Sequence, residues 1–234
     1  MKDRIYLLIF CVSILTSCNI KNGTKEVSVE ADLIKENKSE IKKTFNFDYG
    51  FNVEVGKEEN FKTFKTYSFF ELKKSGIAVY TDTSQEYEFS DKLYPIVLQT
   101  GQKTFELLFE VNDRPNKNYL KRLFIKDGKV TKTDKLPTFI TKAYDLNNDG
   151  NEEYAGFWDY SEVWGESESI TDYNPILYYR ITTTGLQLDS LLTIERNKAI
   201  YGQFYGFDFS EKIKMPISIS RKFEKEITRI TNEQ

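Results

Sequence analysis

Histidine is missing from all 234 residues. That removes the side chain that most often acts as a general base near neutral pH. Ser-His-Asp and Cys-His catalysis go with it, as do histidine-ligated zinc sites. Cysteine is almost missing: the chain has Cys11 and Cys18 and no other. No apolar run is long enough to span a bilayer comfortably; the run from Ile5 to Leu15 falls short. Neither sign of charge dominates, with 33 basic and 36 acidic side chains. That balance argues against nucleic acid or an anionic membrane face as partner. Carboxylates, tyrosine and lysine remain for chemistry, and the expectation is a protein that is not an enzyme.

The apolar run has the order of an export signal: Lys2 and Arg4 first, then Ile5 to Leu15, then Leu15-Thr16-Ser17-Cys18. This segment resembles the lipobox of bacterial lipoproteins. The resemblance implies a signal peptide over 1–17, cleavage before Cys18, and lipid on that cysteine. Cys11 would leave with the signal, so the mature chain would have no internal disulfide and a net charge of about −4. Residues 18–44 are polar, lysine-rich and free of proline, and read as the lipidated cysteine and a flexible tether. Residues 45–223 form the expected folded domain, about 180 residues and enough for one sizeable core. The charged run after Lys222 reads as a short helix or loose tail, bounded as a tail over 224–234.

Phe, Tyr, Val, Ile and Thr dominate runs of alternating polarity within the domain, the pattern of half-buried strands. Tyr67 to Leu72, Thr104 to Val111, Tyr119 to Lys126, Tyr154 to Tyr160, Ile176 to Thr183 and Leu186 to Ile194 are such runs. Asp127-Gly128 is a strong two-residue hairpin signal, with Ser75-Gly76 and Thr184-Gly185 as weaker versions. Gly76, Gly128 and Gly185 recur about every fifty residues, and Gly50, Gly101, Gly150 and Gly206 form a second ladder between them. The expected fold is all-β, with propeller-like irregular repeats of antiparallel strands; a two-sheet β-sandwich is the alternative.

The most specific chemistry lies in Asp145-Leu146-Asn147-Asn148-Asp149-Gly150-Asn151-Glu152-Glu153. Side-chain oxygens fall at positions 1, 3, 5 and 9, with glycine at position 6, where a tight turn would bring them together. Position 12 is Gly156, so the bidentate glutamate of an EF-hand is absent. The pattern instead resembles the calcium loop of VCBS and FG-GAP-like β repeats. That resemblance implies one structural Ca2+ held by Asp145, Asn147, Asp149 and Glu153, with the Asn151 carbonyl completing the ring. A plain Asn/Asp/Gly turn that binds nothing is the competing reading.

Just beyond the loop, Trp158, Glu162, Trp164, Glu166, Glu168 and Asp172 form an aromatic and acidic stretch within a long connection. It reads either as core and solvated crossing or as a face for a sugar or basic protein. The leading expectation is a lipid-anchored, calcium-stabilised, non-enzymatic binding or scaffold protein of the bacterial envelope, with an unidentified protein or glycan partner. A periplasmic inhibitor or immunity protein blocking a basic cell-wall hydrolase through the acidic loop is the alternative. A glycosidase using Glu162 and Glu166 ranks last, since sequence spacing says nothing of their separation in space. Residues 19–22 contain no acid, which points to a periplasm-facing outer-membrane anchor where the source has two membranes.

Overall fold

The computed structural model describes residues 41–89, 93–158, 163–164 and 170–232. Nine strands form one antiparallel sheet: β1 (Ile41–Asn46), β2 (Phe51–Asn60), β3 (Lys65–Lys74), β4 (Ile77–Asp82), β5 (Tyr87–Glu88), β6 (Ile96–Gly101), β7 (Thr104–Val111), β8 (Tyr119–Lys126) and β9 (Lys129–Pro137). Their order is β1-β2-β3-β5-β7-β8-β9, with β4 on β3 and β6 on β7. A second sheet joins β10 (Glu153–Gly156), β13 (Leu177–Thr182) and β14 (Gly185–Leu188). The third joins β11 (Val163–Trp164), β12 (Ile170–Tyr173) and β15 (Ser210–Pro216). Two helices, α1 (Ser190–Tyr201) and α2 (Ser218–Asn232), complete the described fold. The chain is thus mostly antiparallel β, and none of the sheets closes into a barrel.

Strict alternation explains the layers, because successive side chains of a strand face opposite sides. Along β7, Phe105, Leu107, Phe109 and Val111 enter a cluster with Phe51, Val53, Val55, Phe70 and Tyr87. Leu108 of β7 and Leu120 of β8 point the other way, into a cluster with Phe139, Tyr154, Leu177, Tyr179 and Leu186. The second sheet therefore covers the back of the first. Its own far side, with Tyr178 and Ala155, packs on Leu192, Ile200 and Ile230 of the two helices and on Met215 of β15.

A polar seam crosses the second layer. Glu106 is buried and accepts from the Leu186 amide at 3.1 Å. Arg122 donates to the Leu186 carbonyl at 2.8 Å and grips Asp134 with two bonds of 2.8 and 2.7 Å. Gly185 permits this docking: at φ +113° it takes a conformation L side chains rarely adopt, and a Cβ there would collide with the Glu106 carboxylate.

Four expectations need correction. Residues 41–44, expected at the end of the tether, belong to β1, and Thr44 stands opposite Glu54 of β2. The run Leu186 to Ile194 is not one strand. It breaks at Asp189, whose carboxylate caps α1 by accepting from the Leu192 amide at 2.9 Å. Residues 224–232, bounded as a charged tail with a short helix as the other reading, are the greater part of α2, where Ile219, Phe223, Ile227 and Ile230 repeat at helical spacing and pack on the third cluster. The glycines of both ladders do fall in or beside turns, but the hairpins at Gly76 and Gly128 share one sheet instead of each building its own. The signal peptide, Cys18 and the tether up to residue 40 lie outside the described residues.

Candidate functional site

The segment 145–152 is a loop closed at its base by a bridge between Tyr144 and Glu153, with N–H···O distances of 3.2 and 2.9 Å. Short polar side chains fold it. Asp145 accepts from the amides of Asp149 at 3.0 Å and Gly150 at 2.8 Å, and Asn147 Oδ1 accepts from the Asp149 amide at 3.0 Å. Asp149 in turn accepts from the amide and side chain of Asn151 at 2.9 and 2.8 Å. Asn148 at φ 61° and Gly150 at φ 86° supply the left-handed residues the tight turn needs. The side chains of Asp145, Asn147, Asp149 and Asn151 are thus gathered within one loop, with Asp149 and Asn151 exposed.

Glu153 is different in kind. It is completely buried, and its carboxylate accepts from the Leu146 amide at 3.2 Å. Burial raises its pKa, Asp149 adds to the rise, and the Leu146 amide and Arg180 oppose it. Asp149 shifts the other way: the Asn151 side chain and amide stabilise its charge, with help from Asn147 and Arg180.

Arg180, which the sequence reading missed, is the centre of this charge. It stands opposite Glu153 in the β10–β13 register and reaches Asp149 at 2.7 Å, Glu153 at 3.3 Å and Asp189 at 2.6 Å. Its guanidinium takes the place of a cation among three carboxylates. Among the described residues no three carboxylates converge closely enough to hold a metal ion. The donor chemistry still suits calcium, since Asp145, Asn147, Asp149, Asn151 and Glu153 offer only oxygens of hard character. For Asp149 and Glu153 to serve a metal, however, they must release Arg180.

Both helices hold the loop from behind. The Leu146 carbonyl accepts from Arg196 of α1 at 3.4 Å and from Arg229 of α2 at 3.2 Å. Tyr144 donates to the Ile230 carbonyl at 2.6 Å. Within α2, Glu226 pairs with Arg229 and accepts from Tyr178 at 2.6 Å.

The residues expected on a partner face separate. Trp158 is half-buried and packs against the first two clusters. Asp172 is corrected from partner loop to interior: it is 1 % exposed and pairs across strands with Lys214 of β15. Trp164 has its backbone in β11. Glu162, Glu166 and Glu168 lie outside the described residues. Among the described residues no helix is long and apolar enough to cross a membrane. Comparison with protein-family models, curated proteins and solved structures found no match.

Proposed function

We propose that this is a lipid-anchored, non-enzymatic binding or scaffold protein of the bacterial envelope, in which the Asp145 loop takes one structural calcium ion. The observation that carries the reading is the position of the loop. It is gripped through Leu146 by both helices and through Glu153 and Arg180 by the second sheet. A group that tightens it would tighten the second sheet and both helices at once. Asp145, Asn147, Asp149, Asn151 and Glu153 would hold the ion, which would supply a divalent charge in place of Arg180. The second sheet against the back of the first, with a shared apolar layer, supports a sandwich-like scaffold over a propeller.

Full-length protein in a neutral detergent is expected to melt about 5–10 °C higher with millimolar calcium than with chelator, the gain from an ion well above its dissociation constant. Asp149→Ala should abolish that shift. Arg180→Gln should lower the melt in chelator and widen the calcium response, because it removes the competing cation. Equal melts with calcium and chelator would overturn the metal reading.

The anchor has its own readout. In a bacterial host supplied with an alkyne-bearing fatty acid, the chain is expected to take up label and sediment with membranes. Cys18→Ser should lose both properties, and an unlabelled parent chain would sink the lipoprotein assignment.

A further inference from the structure

One end of the nine-stranded sheet gathers three hairpin turns around a cavity of about 600 Å3, lined by Lys74, Ser75, Ile77, Val79, Gln102, Lys103, Asp127, Gly128 and Lys129. Small-molecule sites fall in the range of roughly 300–1,000 Å3. Its walls are pre-formed. The Ser75 amide donates to the Gly50 carbonyl at 2.8 Å, and the Asp127 amide donates to the Lys103 carbonyl at 3.0 Å. Each of these bonds ties one turn to its neighbour.

The lining is apolar within and cationic at the edge. Val79 packs against the first core cluster, and Ile77 is 71 % exposed beside it. An apolar surface set in a concavity and rimmed by lysines is the arrangement of a ligand groove. Lys74 provides the second observation. Its ammonium lies 4.4 Å from the Phe51 ring centre and 3.7 Å from that of Phe105, both buried rings. It makes no ion pair among the described residues, and burial lowers its pKa. Lys73, Lys121, Arg122 and Arg180, by contrast, each hold a carboxylate. Lys103 and Lys129 add two further cations to the edge, against the single carboxylate of Asp127.

A half-buried cation held only by ring faces keeps its strongest hydrogen-bonding directions for something else. We propose that this cavity binds a small amphipathic carboxylate, its apolar body against Ile77 and Val79 and its anionic end on Lys74, with Lys103 and Lys129 completing the charge. The site is separate from the Asp145 loop, and its occupancy does not depend on calcium.

The test uses the full chain in nanodiscs of uncharged lipid. The probe is a carboxylic acid of roughly ten carbons bearing a diazirine, a length this volume admits. Irradiation followed by peptide mass spectrometry is expected to place the label on Ile77 or Val79. Decanoate should compete and decanol should not, because the alcohol lacks the charge. Lys74→Met is expected to lower labelling about tenfold, the loss of one charge-assisted bond. Lys74→Arg should retain most of it. If Lys74→Met fails to melt cooperatively, the paired variant Lys103→Gln/Lys129→Gln decides, with an expected loss of several fold. Labelling spread over the surface, equal competition by decanol, or full labelling of folded Lys74→Met would overturn the proposal.

Discussion

Asp82→Asn is expected to cost about 3–5 kcal/mol of folding stability, the usual result of breaking one side of a buried ion pair. Asp82 is 8 % exposed and accepts from Tyr80 at 3.0 Å, Tyr87 at 2.8 Å, and the Ser84 amide and hydroxyl at 2.8 and 2.7 Å, as well as from Lys121. Burial alone would raise its pKa. Lys121, Ser84 and Tyr87 outweigh that and hold it well below the ordinary carboxylate value. A carboxyl depressed in the fold stabilises at pH values above its unfolded pKa, and the stabilisation is lost as pH falls through the folded one. Urea titrations should therefore show the parent chain weakening as pH drops below about 4, with a shallower slope in Asp82→Asn. The variant leaves Lys121 half-buried and without its counter-charge, so Asp82→Asn/Lys121→Met should recover part of the loss. A urea midpoint within error of the parent would show that the cluster is decorative.

Arg122→Met should have a comparable effect for a different reason. Arg122 bridges β8 to β14 through Leu186 and to β9 through Asp134, with buried Glu106 3.5 Å away. Its loss takes the arginine from the Leu186 carbonyl and from both carboxylates, leaving buried Glu106 only the Leu186 amide and Asp134 its pair with Lys132, again about 3–5 kcal/mol. Glu106 already has a raised pKa, through burial first, with the Leu186 amide and Arg122 acting against the rise. A raised carboxyl favours the fold below its unfolded pKa, and that advantage is lost as pH climbs through the folded value. The damage from Arg122→Met should thus be smaller at pH 5 than at pH 8, because the lower pH lets a buried carboxyl that has lost its arginine take up a proton. Amide exchange at Leu186 is the local readout; unchanged protection there would separate the seam from the docking of the second sheet.

How much of this was legible follows from which contacts are local. Thr104–Val111 and Tyr119–Lys126 were readable to the residue, because each is a short run rich in β-formers, the first bounded by the turn after Gly101 and the second by Asp127-Gly128. The turn at Asp127-Gly128 was equally readable from its chemistry. Leu186 to Ile194 misled, since a short apolar alternation fits a strand or the first turn of a helix, and Asp189 reads as a cap only once α1 is known. The loop's own hydrogen bonds were implicit in its Asp, Asn and Gly. Arg180 was not, because it lies 31 residues from Asp149 and only the β10–β13 register brings it over the loop. The three-turn cavity was invisible for the same reason: its lysines come from separate hairpins.

The grip on the Leu146 carbonyl has a consequence for how the chain matures. Neighbouring hairpins let most of the nine-stranded sheet zip up from contacts close in sequence, which form early. Arg229 lies 83 residues beyond Leu146. During vectorial synthesis the Asp145 segment therefore emerges well before its second arginine, and it stays loosely held until α2 arrives. The turn that both helices grip in the finished protein is among the last parts to set.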